Sequence, residues 1–198
     1  MKGKVQFTRD AFRPNVSLKE RPPYVEEKYV MCEIGVLLEQ FSQLRLKSGW
    51  TIISRDGRVF AQSQKGQQCP FMEAVIGDES PFSYVQAAIL YHYLLEYSQS
   101  DHQTVDPDTI LDDPWIQKLD LFGYWTFGKV ERSLNPMFFY DSLLHPVVIF
   151  FTHHTEGVEH VVKHIQRFDH LGYGMRYHQR TWATSNRENP FMRDHRSG

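Results

Sequence analysis

Apolar and polar residues recur with different periods along this chain, and the period assigns most of its elements. Trp50-Thr51-Ile52-Ile53-Ser54 and Arg58-Val59-Phe60-Ala61-Gln62 flank Asp56-Gly57, a tight-turn dipeptide, which predicts a β-hairpin over Trp50 to Gln64. Val85, Ala88, Ile89, His92, Tyr93 and Leu95 form a wide apolar stripe at helical spacing, with Ser80 or Ser83 as the cap. This helix, ending near Tyr97, is expected to be the most buried one. A second helix is predicted within Tyr24 to Leu46, where Val30, Ile34, Leu37, Leu38, Phe41 and Leu44 recur at intervals of three and four. Glu26 and Glu27 suit its start, and Ser48-Gly49 its end. Val147 to Phe151 is a continuous apolar run, as in a central strand, and Gly123 to Gly128 alternates like another strand. Met137 to Leu144 is apolar and fits either state.

The carboxy-terminal third has its own order of parts. Val158, Val161, Val162, Ile165 and Phe168 sit at spacings of three, one, three and three, which predicts a helix. His160, Lys163, His164 and Arg167 would lie on its other flank. Leu171-Gly172-Tyr173-Gly174 follows as a loop, and Met175 to Ala183 as a strand with Arg176, His178 and Arg180 on one side and Tyr177 on the other.

Length and composition set the frame. The 198 residues suit a single domain, with an N-terminal arm over 1–23 punctuated by Pro14, Pro22 and Pro23, after a short strand at Lys4 to Phe7. An acidic inserted loop is expected over 98–114. The net charge of −2 argues against bulk attraction to polyanions, but the charge is unevenly placed. Seven acids lie between Glu96 and Asp120 against one Lys118, whereas seven arginines and lysines follow His160 against three acids. One basic face meeting something anionic is the expectation. Cys32 and Cys69 are the only cysteines, which fits free thiols in a reducing compartment. No run approaches the roughly 18 apolar residues of a spanning helix, so the reading is a cytoplasmic protein without a membrane partner.

The candidate chemistry converges on the carboxy-terminal unit. The N–H groups of Gly172 and Gly174 would donate to phosphate, Tyr173 would stack on a base, and Arg176 and Arg180 would pair with phosphates. Lys163 and Arg167 would extend the patch. An apolar strand, a valine-rich helix, a glycine loop and a final basic strand resemble the closing half of the RAMP superfamily of CRISPR proteins. Within it, the closest likeness is to the small subunit that holds the 5′ handle of guide RNA in type IV complexes. The resemblance covers about forty residues on one short loop. It implies an α+β, ferredoxin-like (RRM-like) core with an irregular or helical insertion. It also implies a non-catalytic role, guide RNA and other ribonucleoprotein subunits as partners, and no cofactor.

Other constellations compete. His102-Gln103-Thr104 and His153-His154-Thr155 are two His-x-Thr motifs, the pattern of two-histidine phosphoesterases, with His102 and His153 as acid and base. A ribonuclease using His153, His154 or His178 is a related alternative. His160 and His164, four apart on a helix, would share a face and bind zinc together with His153 or His154, although no HExxH or CxxC accompanies them. The aspartates at 106, 108, 112 and 113 lack the glycine and glutamate of a calcium loop and read as a solvated loop. A protein-only interaction module or inhibitor from a mobile element, docking through that loop, is the third class. P-loop, Rossmann, GxSxG and kinase patterns are absent from the sequence.

Overall fold

The computed structural model describes residues 5–6, 38–39, 41–55, 58–99, 109–116, 125–127, 133–154 and 158–185. In chain order the elements are β1 (Val5–Gln6), β2 (Leu44–Leu46), β3 (Trp50–Arg55), β4 (Arg58–Ser63), β5 (Gln68–Pro70), a 3-10 turn (Phe71–Ala74) and β6 (Val75–Gly77). Then follow helix α1 (Pro81–Gln99), β7 (Thr109–Ile110), the short α2 (Asp113–Ile116), β8 (Trp125–Phe127) and β9 (Met137–Tyr140). Three long strands close the described chain: β10 (Pro146–His154), β11 (His160–Phe168) and β12 (Met175–Ser185). The class is α+β.

Seven strands form one antiparallel sheet in the order β1-β9-β10-β11-β12-β8, with β7 beside β9 on the same edge of β10. The predicted hairpin is present as β3 and β4, with Arg55 opposite Arg58 and β5 added on the far side of β4. Strands β2 and β6 pair separately. Helix α1 lies between these small sheets and the large one. Val85, Ala87, Ala88, Ile89 and Leu90 are all fully buried, so the helix is apolar around most of its girth, as a helix enclosed on several sides must be. Ser80 caps it: its Oγ accepts the Ser83 N–H at 3.2 Å, and Pro81 opens the first turn without needing a donor.

The sequence expectation fails in one decisive place. Within the segment expected to be a helix at Val158 to Phe168, residues 160–168 are strand β11, which pairs with β10 on one side and β12 on the other. The chain from β9 to β12 is therefore a meander of neighbouring antiparallel strands, with no helix among the described residues between β10 and the glycine loop. The helix expected within Tyr24 to Leu46 falls mostly outside the described residues, and its last part, Leu44–Leu46, is a strand. Leu38, Phe41 and Leu44 are nevertheless buried in the main core. The arm 1–23 and residues 100–108 of the acidic loop also lie outside the described residues, apart from Val5–Gln6 at the sheet edge.

The rest of the acidic loop is built into the fold rather than solvated. Asp112 is buried, and Asp113 accepts the Leu134 N–H at 2.7 Å and the Ser133 hydroxyl at 2.9 Å. Those bonds fix Leu111 and Leu134 over the sheet. With Phe151, Val161, Trp182 and Ala183 they form a second apolar cluster on the side opposite α1.

Candidate nucleic-acid interface

Opposed residues in an antiparallel pair share a face, so the register of β11 against β12 determines which charges meet. Lys163 lies opposite Arg180, Ile165 opposite His178, and Arg167 opposite Arg176. Alternation puts all of these on the face turned away from α1. The other face carries His164, Gln166 and Phe168, and it packs on the helix. The four cations expected from the sequence thus share one surface, though Lys163 and Arg167 reach it from a strand rather than a helix. Same-face positions along a strand are about 6.8 Å apart, so Arg176, His178 and Arg180 form a line roughly 14 Å long.

The members differ in exposure. Arg176, His178 and Arg180 are exposed. Arg167 is half-buried and anchored by Asp141, whose Oδ2 lies 2.7 Å from its Nε. Lys163 is buried, with Nζ 5.5 Å from the centre of the Phe151 ring, a cation–π placement at the border of the second cluster. The accessible part of the patch is therefore the β12 row, backed by Arg167.

The glycine loop does different work from that expected. Tyr173 is 1% exposed and packs among Tyr84 and Phe168, so its ring offers no surface for a base. Its hydroxyl donates to Ser83 Oγ at 2.7 Å and accepts the Glu79 N–H at 3.0 Å. Gly172 donates its N–H to Glu79 Oε1 at 3.2 Å instead of holding it for a phosphate. Gly172 has φ +79°, which explains the glycine there. Gly174 supplies the carbonyl that accepts the Asp169 N–H at 2.8 Å and closes the loop. Gly172, Tyr173 and Gly174 are thus a clasp that ties the β11–β12 turn to the start of α1. The aromatic-plus-glycine pattern identified the turn but not its direction, because nothing local in the sequence tells whether a loop tyrosine points in or out.

The histidines sort by environment. His164 is buried between α1 and the sheet, its ring stacked on Phe150 and 4.6 Å from that of His92. Its Nε2 lies 2.8 Å from Thr152 Oγ1, and its Nδ1 lies 2.9 Å from the Tyr177 hydroxyl. Tyr177 donates its one proton to Gln179 Oε1, so Nδ1 carries the imidazole proton and Nε2 accepts from Thr152. Burial, with His92 as a second cause, drives the His164 pKa down to about 2. This neutral, doubly bonded imidazole holds the core together.

His153, proposed as one half of a catalytic pair, is buried with Nε2 2.8 Å from Glu159 Oε1. His102, its partner in that reading, lies outside the described residues. His160 and His164 belong to a strand, so the shared helical face that would make them joint zinc ligands does not exist. His160 instead meets His154 across the strands, at 4.7 Å between ring centres. Among the described residues no group of three His, Cys, Asp or Glu side chains is placed to hold a metal ion. No helix among them is long and apolar enough to cross a membrane. Searches against protein-family models, curated proteins and solved structures find no match to this chain.

Proposed function

We propose that the protein binds the phosphate backbone of single-stranded RNA across the outer face of β11 and β12, without catalysing a reaction on it. One observation carries this reading: the register gathers Lys163, Arg167, Arg176 and Arg180 on one sheet face of a chain whose net charge is negative. A cationic sheet surface with exposed guanidinium groups tracks a flexible polyanion well, since planar guanidinium pairs with phosphate through two bonds at once. His178 in the middle of the row adds a flat ring on which a base can stack.

The narrower form of the proposal is a ferredoxin-like subunit of a CRISPR-type ribonucleoprotein, gripping guide RNA near its 5′ handle and touching neighbouring subunits. The glycine loop leading into an arginine-bearing strand supports that form. The strand β11, standing where that family's order has a helix, makes backbone binding the firmer part of the proposal.

The test is to purify the full chain without nuclease and extract bound nucleic acid. Its affinity for a labelled 20-nucleotide RNA is then measured at low salt, against DNA duplex and heparin. RNA carried through purification and preferential binding of single-stranded RNA are expected. Absence of both overturns the reading.

A further inference from the structure

We propose that one unpaired guanine docks in the cavity between α1, the β4–β5 sheet and the start of β12, a deepening that rests on the RNA-binding reading. The cavity holds about 630 Å³, within the range of small-ligand sites. Phe60, Phe71 and Tyr91 supply aromatic walls, Glu73 and Asp169 two carboxylates, and Arg176 one edge. Arg176 lines the rim of this cavity, while the cationic row runs along the opposite face of β12. Among the described residues no strand covers the edge of β12 over 175–180, so a backbone lying along the row can pass around that edge at Arg176 and turn the attached base inward.

The floor shows why a base with donors is favoured. A Cβ added to Gly174 would stand 2.5 Å from Asp169 Oδ2 and 3.8 Å from Glu73 Cγ. The Asp169 carboxylate thus takes the place that a side chain at 174 would fill, with Glu73 beside it, and both acids line the cavity. Ionised carboxylates only accept hydrogen bonds. Guanine presents a ring N–H beside an amino group, a pair of donors that one carboxylate can take together. Uracil offers a single ring N–H between two carbonyls, which two carboxylates repel. Arg58, which also lines the cavity, can meet the carbonyl edge of guanine.

Calorimetry with GMP and UMP on the full chain tests the site, together with anisotropy of a ten-nucleotide oligouridine and the same oligomer with one central guanine. GMP binding at least tenfold tighter than UMP is expected, with a matching gain for the guanine-bearing oligomer. Glu73→Gln, and separately Asp169→Asn, should each reduce that preference at least threefold while melting as the parent does. Equal binding of GMP and UMP overturns the pocket even if oligouridine binds, which leaves the backbone reading standing. GMP preference with no oligouridine binding overturns the backbone reading and keeps the pocket. GMP preference without a gain for the guanine-bearing oligomer assigns the cavity to a free nucleotide and overturns its part in RNA binding.

Discussion

Replacing Arg176 and Arg180 with alanine separates a binding face from a structural one. Both side chains are exposed on β12, and neither belongs to an apolar cluster. Surface changes of this kind move stability by no more than about 0.5 kcal/mol, or roughly 1–2 °C in Tm for a chain of this size. If each guanidinium contributes about 1 kcal/mol to phosphate contact, the double variant loses about 30-fold in affinity at low salt. Two fewer neutralised phosphates also flatten the salt dependence by about 1.4 in log–log slope on a single strand. Between 50 and 200 mM salt the gap to the parent should therefore narrow by about sevenfold, from roughly 30-fold to roughly 4-fold. Fluorescence anisotropy across a salt series, with a melting curve for each protein, reads both quantities. An unchanged slope with a lost affinity would place the effect elsewhere, and an unchanged affinity would refute the interface.

The clasp and the buried imidazole make further predictions. Tyr173→Phe keeps the ring but removes the acceptor of the Glu79 N–H and the donor to Ser83 Oγ; a loss of about 1–3 kcal/mol in urea unfolding is expected, with RNA affinity per folded molecule unchanged. A base-stacking tyrosine would give the opposite outcome, weaker binding at full stability. His164 titrates near 6.5 in the unfolded chain and at about 2 in the folded one, so only the unfolded state takes the proton between those values. Its contribution is fully present above pH 6.5 and falls by up to about 1.4 kcal/mol per pH unit below it. His164→Gln should flatten the fall in unfolding free energy between pH 6.5 and 5; an identical slope in both proteins refutes the assignment.

The legible parts of the sequence were those whose apolar pattern no buried polar residue masks. The hairpin about Asp56-Gly57, the enclosed helix behind Ser80, and the apolar strand through Val147–Phe151 follow from period and turn chemistry alone. Strand β11 did not follow, because both of its faces are partly covered and its buried side carries polar residues. His164 and Gln166 point into the core, where Thr152 and Tyr177 bond the imidazole and the Ala88 carbonyl accepts from Gln166 Nε2. That hid the alternation and left Val158, Val161, Val162, Ile165 and Phe168 to mimic a helix. The run of β-branched residues was the contrary signal. The cationic residues of the candidate site were legible as a cluster of charge; their common face required the strand register, which no local pattern contains.

The register of β12 shifts once, between the pairs Val162–Thr181 and Val161–Ala183, so Trp182 is an extra residue. Such a bulge lets Trp182 and Ala183 both turn toward the second cluster. The strand is in effect two segments with separate phases, one timed by the arginines and the other by its pairing with β8. Removing Trp182 would restore plain alternation between Thr181 and Ala183 and leave both segments on their present faces, but it would take away the ring that packs on Phe151. The bulge thus adds one large apolar side chain to the outer cluster without changing the side on which the arginines stand.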